Sequence, residues 1–142
     1  MNIAIVGSRS WKTPGVIHAT IDRLRGKYPE LTIISGGARG VDRIAAAYAR
    51  EQGVNIVEYH ADWRRHGRKA GPIRNRHIVA AADEVIAFWD GVSPGTRITL
   101  KLAKLKGIPV EIVLSETTEQ ATRIDAPEQR ANSQLSLPIG PK

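Results

Sequence analysis

The sequence predicts an α/β fold: a Rossmann-like, doubly wound, mainly parallel sheet of about five strands with helices on both faces. Two observations predict it. Short apolar runs alternate with longer stretches of helical period up to residue 114, the order produced by successive βαβ units. Three glycine-bearing turns stand where an apolar run gives way to a helical stretch: Gly7-Ser8-Arg9, then Ser35-Gly36-Gly37-Ala38-Arg39-Gly40-Val41-Asp42, then Asp90-Gly91-Val92-Ser93-Pro94-Gly95-Thr96. Glycine lets the backbone turn sharply and come close to a ligand, and the helix that follows aims N–H groups and a partial positive charge at the same spot.

Residues 2–6 form an apolar run, read as the first strand. Residues 14–27 place Val16, Ile17, Ile21 and Leu24 near a helical period, with Thr13 as N-cap and Pro14 at the first helical position. Residues 31–34 give the second strand. The alanine-rich stretch 41–52 gives a helix that ends at Gly53, and residues 54–59 give the third strand. Residues 60–70 break the rhythm as a basic loop with one tryptophan, Trp63. A helix then opens at Gly71-Pro72 and runs to about residue 82. Residues 84–89 read as the fourth strand, 96–106 as a basic helix stopped by Gly107, and 108–114 as the fifth strand.

The chain has 142 residues, a length suited to one domain with a real core. No window is apolar enough to span a bilayer, and residues 1–7 lack the basic leader of a signal peptide. Cysteine is absent, which excludes disulfides, thiolate metal sites and a Cys nucleophile. A cytoplasmic location is expected. The net charge is +7; residues from Ser115 onward carry three basic and four acidic side chains, so the excess lies in residues 1–114. Such a field attracts anions, nucleotides and nucleic acids alike. Aromatic content of 5% argues against an array of stacking platforms for single strands.

In an open α/β sheet ligands bind at the carboxyl ends of the strands, where all three turns fall. Gly7, Ser8 and Arg9 offer backbone donors, a hydroxyl and a fixed cation. Gly36, Gly37, Ala38, Arg39, Gly40 and Val41 offer close backbone approach, with Asp42 in the first turn of the next helix. Asp42 could bond a ribose hydroxyl, orient an arginine or cap that helix. Gly95 and Thr96 repeat the arrangement, and Thr96 has both a hydroxyl and an N–H for a phosphate. Neither G-x-G-x-x-G nor G-x-x-x-x-G-K-[ST] is present, so nicotinamide oxidoreductases and P-loop ATPases are poor candidates. Buried packing is the default for Trp63 and Trp89, with stacking on a base as the functional alternative. His60, His66 and His77 lack metal-ligand spacing; no metal and no cofactor is expected.

Four segments carry a specific resemblance: Gly-Ser-Arg-Ser-Trp, Ser-Gly-Gly-Ala-Arg-Gly-Val-Asp, Ala-Asp-Trp followed by Gly-Arg-Lys-Ala-Gly-Pro-Ile-Arg-Asn, and Ala-Phe-Trp-Asp-Gly with Pro-Gly-Thr. Together they resemble the SLOG superfamily, and within it the YspA/YpsA-related branch of small stand-alone domains found in bacteria and phages. The resemblance covers residues 1–113 in order. It implies a Rossmann-like domain that binds or senses a phosphorylated nucleotide or nucleotide-derived ligand, and a homo-oligomer. Its relatives add two alternatives: N-glycosidic cleavage, as in LOG phosphoribohydrolases, and single-stranded DNA binding, as in DprA. The resemblance to LOG enzymes places their arginine at Arg74, beside Asn75, and puts their glutamate position at Thr99, which cannot act as a carboxylate. Asp42 or Asp90 would have to substitute, so the catalytic candidates are Arg74, Asp42 and Asp90. Helix capping and turn formation are the competing roles for the two aspartates.

Residues 115–142 read as a flexible polar tail. Within it Gln134, Leu135, Leu137, Pro138 and Ile139 resemble the short motif by which bacterial proteins dock on the replication sliding clamp.

Overall fold

The computed structural model describes residues 1–115 and the strand at 121–125. The motif at Gln134–Ile139 lies outside the described residues. The sheet has the order β3-β2-β1-β4-β5-β6, built from β1 (Asn2–Gly7), β2 (Thr32–Ser35), β3 (Asn55–Glu58), β4 (Glu84–Trp89), β5 (Val110–Ser115) and β6 (Ala121–Asp125). The first five strands pair in parallel, with Ile5 opposite Ile86 at the centre. β6 pairs antiparallel with β5, placing Ile112 opposite Ile124.

The five parallel strands, with helices on both faces, are those the sequence predicts. β6 is not predicted: it falls in the span expected to be tail. Ala-Thr-Arg-Ile-Asp lacks the apolar run that marks a strand in sequence, and what places it is the open row of backbone donors and acceptors along β5.

Helices α1 (Pro14–Lys27) and α2 (Val41–Glu51) cover one face. Ile17, Ile21 and Leu24 from α1 and Val41, Ala45 and Ala49 from α2 pack there on Ile3, Ile5, Ile33 and Phe88. Trp11 closes that core edge-on to Phe88, ring centroids 5.6 Å apart. Helices α4 (Ala70–Ala81) and α5 (Pro94–Lys106) cover the other face, burying Ile78, Val79 and Ala103 against Ala4, Val6, Ile34 and Ala87. β1 and β4 are central and bury their four middle residues in the two cores, which is why they read as apolar runs. β3 lies at the edge and leaves Val57 exposed.

Two local expectations are corrected. Thr13 occupies the N-cap position of α1 with Pro14 following, but its side chain makes no capping bond; its carbonyl instead accepts from Trp11 Nε1 at 2.8 Å. Residues 60–70 are not an open loop. They hold a one-turn helix, α3 (Trp63–His66), and a 3-10 turn, Gly67–Lys69, leading straight into α4. Asp62 starts α3 by accepting from Arg65 N–H at 3.1 Å. Four residues are too few to show a helical period, so this element leaves no pattern to read.

Among the described residues no helix is long and apolar enough to cross a membrane.

Candidate functional site

The strand order reverses between β1 and β4, and the first and third glycine turns flank that point. They are bonded to each other. Ser8 Oγ accepts from Asp90 N–H at 2.9 Å and lies 3.4 Å from Ser93 Oγ, while Ser8 N–H donates to the Phe88 carbonyl at 3.0 Å. Ser8 is fully buried by these contacts. Its carbonyl accepts from Val41 N–H at 3.3 Å, so the same residue also anchors the start of α2.

Gly40 makes that anchoring possible. Its φ is +72°, and a Cβ there would collide with the carbonyl oxygen of Ser8. The first and second turns therefore touch backbone to backbone, with Gly7 pressed equally close to Phe88.

Beneath the second turn lies Asp42, buried at the start of α2. Its Oδ2 accepts from Ala38 N–H at 3.1 Å. Burial pushes its carboxyl up to about 6, although the Ala38 N–H and the nearby Arg74 and Arg9 cations pull the other way. Arg74, from α4, donates from Nη1 to the Gly36 carbonyl at 2.6 Å and from Nε to Asn75 Oδ1 at 2.9 Å. A Cβ on Gly36 would sit 2.8 Å from Arg74 Nη1 and 2.9 Å from Asp42 Oδ2, so a side chain here would displace the cation or the carboxylate from its present position. Partial burial lowers the Arg74 pKa from its ordinary value, with Asp42 opposing the shift.

Above this pair opens a pocket of about 400 Å³. Gly36, Gly37 and Ala38 line it, together with four arginines: Arg9 from the first turn, Arg39 and Arg43 around the start of α2, and Arg74 from α4. His60, Ala61 and Trp63 complete the lining. His60 packs over Gly37, where a Cβ would come within 2.5 Å of its ring, and faces Glu58 at 3.5 Å. Arg9, Arg39 and Arg43 are exposed, and Trp63 is 52% exposed.

The structure thus brings together Arg9, Gly36, Gly37, Ala38, Arg39, Trp63 and Arg74 of the predicted set. The lining of this pocket does not include Trp89, Asp90, Gly95 or Thr96. Those residues build the third turn instead. Asp90 Oδ1 accepts from the N–H groups of Val92 at 2.9 Å and Ser93 at 2.7 Å, and its Oδ2 accepts from Ser93 Oγ at 2.6 Å. Burial raises the Asp90 pKa, but the Ser93 and Val92 hydrogen bonds outweigh it and leave the carboxyl below its ordinary value. Trp89 donates its indole N–H to the Ser93 carbonyl at 3.1 Å, with the Arg97 guanidinium 5.6 Å from its ring centre. Thr96 is buried. Gly95 gives its carbonyl to Thr99 Oγ1 at 3.1 Å, and Asn75 Nδ2 reaches the same carbonyl at 3.5 Å.

Thr99 is itself buried, its hydroxyl spent on that intrahelical bond. Arg43, His60 and Ala61 line the pocket without being among the predicted site residues. Arg43 had a legible signal, one place after Asp42 at the mouth of a glycine turn. His60 had none, because only the fold sets it over Gly37. Among the described residues no group of three His, Asp or Glu side chains is arranged to hold a metal ion.

A family model for the YspA, cpYpsA-related SLOG family (YAcAr) matches residues 1–66. The chain is 44% identical over 115 residues to the Gene 61 protein of Mycobacterium phage D29, covering 76% of this chain and 92% of that protein. Two solved structures share its fold. DNA processing protein A (DprA) from Streptococcus pneumoniae superposes with a TM-score of 0.69 at 23% identity, over 82% of this chain. This chain spans 51% of that structure's length. DNA processing protein A from Helicobacter pylori, described by its single-stranded DNA binding mode, superposes with a TM-score of 0.63 at 26% identity, over 84% of this chain and 68% of its own. With the glycine turns, the strand order and the phage relative in agreement, the chain belongs to the YspA, cpYpsA-related SLOG family.

Proposed function

We propose that this domain binds a phosphorylated, nucleotide-type ligand in the pocket between the second glycine turn and α3–α4. The observation that carries the reading is the convergence of Arg9, Arg39, Arg43 and Arg74 on one cavity whose lining holds no carboxylate. Exposed like charges drawn to one point repel, and a multiply charged anion removes that penalty while accepting their planar donor forks. The volume of about 400 Å³ suits a small ligand. Family membership supports nucleotide- or DNA-related binding in general.

Binding or sensing is favoured over hydrolysis. N-glycosidic cleavage needs a carboxylate beside the scissile bond. Thr99 is buried and bonded to Gly95, Asp90 is consumed by its own turn, and Asp42 lies beneath the second turn holding Ala38.

Thermal shift with nucleoside monophosphates and diphosphates tests the reading, since a ligand of the native state raises its melting temperature. Wild type is expected to be stabilised, and Arg39→Ala/Arg43→Ala to lose most of that gain with its unliganded melting temperature no lower than that of wild type. Equal stabilisation of both proteins would refute the pocket assignment.

One observation favours a second reading, single-stranded DNA. Arg64, Arg65, Arg68 and Lys69 are exposed on α3 and the turn after it, the segment that carries the pocket-lining Trp63. Binding of an oligodeoxythymidine that falls steeply with salt, and falls further in Arg64→Ala/Arg68→Ala, would support it.

A further inference from the structure

We propose that Trp63 is a nucleobase platform: a base stacks on its open indole face while the phosphates of the same molecule sit among the pocket arginines. The proposal rests on the nucleotide-pocket reading above and deepens it, assigning the base of that ligand to one side chain and predicting a preference for nucleotides over inorganic phosphate or pyrophosphate.

The three tryptophans differ in a way that isolates Trp63. Trp11 is buried in the core against Phe88. Trp89 is half-buried, with its indole N–H on the Ser93 carbonyl and Arg97 over its ring. Trp63 belongs to neither core cluster and is 52% exposed, and among the described residues no ring or cation stacks on it. Leaving so large an apolar ring in water is unfavourable, and tryptophan is ordinarily well buried in a fold.

The ring is nonetheless held in place. Asp62 fixes the start of its one-turn helix, with Oδ1 on Arg65 N–H at 3.1 Å and its carbonyl on His66 N–H at 2.9 Å. Gly71, buried at the start of α4, has room for only an ordinary contact: a Cβ there would lie 3.5 Å from Trp63 Cη2. One edge of the indole thus faces Gly71 at the start of α4, with space for a methyl group between them, and the ring borders the same cavity as Arg9, Arg39, Arg43 and Arg74. An aromatic face and an anion site sharing one cavity match a molecule that carries a base and phosphates together. Purines, with the larger face, are expected to bind more tightly than pyrimidines.

Calorimetric titration of the full chain with ADP, GDP, CDP and UDP, and with inorganic pyrophosphate as the base-free probe, tests this. Trp63→Ala is expected to weaken the nucleoside diphosphates by about 5- to 150-fold, the usual range for loss of one base–aromatic stack, and to leave pyrophosphate within twofold of wild type. Trp63→Phe should keep most of the affinity. Trp63→Ala binding ADP as wild type does, or losing pyrophosphate in step with ADP, would overturn the platform. So would Trp63-dependent binding of an oligodeoxythymidine with none of the four nucleotides affected. If wild type binds neither nucleotides nor pyrophosphate, the anion-pocket reading itself fails, an outcome distinct from any effect of Trp63.

Discussion

Arg74 donates from Nη1 to the Gly36 carbonyl oxygen at 2.6 Å, across 38 residues of chain. Through Asn75, which accepts from its Nε and reaches the Gly95 carbonyl, the same arginine connects the second turn to the third. Ser8 joins the first turn to both of the others. The three glycine turns therefore form one bonded assembly, and the pocket opens beside it, over the second turn, instead of at the β1–β4 reversal. Arg74 holds the turn and borders the cavity at once.

Removing Arg74 should register first as stability. A hydrogen bond from a charged donor contributes roughly 1.5–3 kcal/mol. Arg74 is only half-buried, so Arg74→Ala is expected to cost about 2 kcal/mol, read from the urea midpoint at pH 7. Arg74→Lys keeps the charge and loses the fork, and should fall between the two. An Ala variant as stable as wild type would show that the Gly36 bond contributes nothing net.

Asp42 makes stability depend on pH in an unusual direction. Its carboxyl titrates at about 6 in the fold, against an ordinary value of 3.8. The folded chain thus holds a proton that the unfolded chain has already released between those two values. Stability from this group is present in full below pH 4, declines as pH rises to about 6, and is level above that. The gap corresponds to a loss of about 3 kcal/mol. Asp90, held below its ordinary value, works the other way and contributes stability above pH 4 that disappears on acidification. Denaturation at pH 5 and pH 7.5 separates them. Asp42→Asn keeps an oxygen for the Ala38 N–H and cannot titrate, so its midpoint should change less than that of wild type between these values. Parallel changes in the two proteins would remove Asp42 as the cause. Arg74→Ala, lacking the nearby cation, should move the wild-type transition to higher pH.

Much of this architecture is legible in the residues. β1 and β4 announce themselves because burial on both faces demands unbroken apolar runs, and α1 because Ile17, Ile21 and Leu24 repeat at its period. The glycine turns mark the right edge of the sheet. The division of labour among them is not legible. Ser8 and Asp90 look like ligand groups in sequence, since a hydroxyl or carboxylate beside glycine suits a phosphate or sugar equally well. Only the juxtaposition of β1 with β4 reveals that they bond within the protein. α3 and β6 escape for opposite reasons: one is too short for periodicity, the other is set by the open backbone of β5.

Thr99 separates binding from hydrolysis most directly. Its hydroxyl donates to the Gly95 carbonyl at 3.1 Å and the residue is 2% exposed, which makes it a fastening of the first turns of α5. Thr99→Val preserves the shape and deletes the donor, and should cost about 1 kcal/mol with nucleotide affinity unchanged. Thr99→Glu supplies the carboxylate that the resemblance to LOG enzymes implies for this position. It must bury a longer, charged side chain against Asn75 and the core beneath α5, so a larger loss of several kcal/mol is expected. No release of free base from nucleoside monophosphates should accompany it, because the pocket is lined from the second turn and α3–α4, away from Thr99. Chromatography after prolonged incubation reads the result. Base release by Thr99→Glu, with none by wild type, would show that the domain retains a hydrolytic geometry and lacks only the carboxylate.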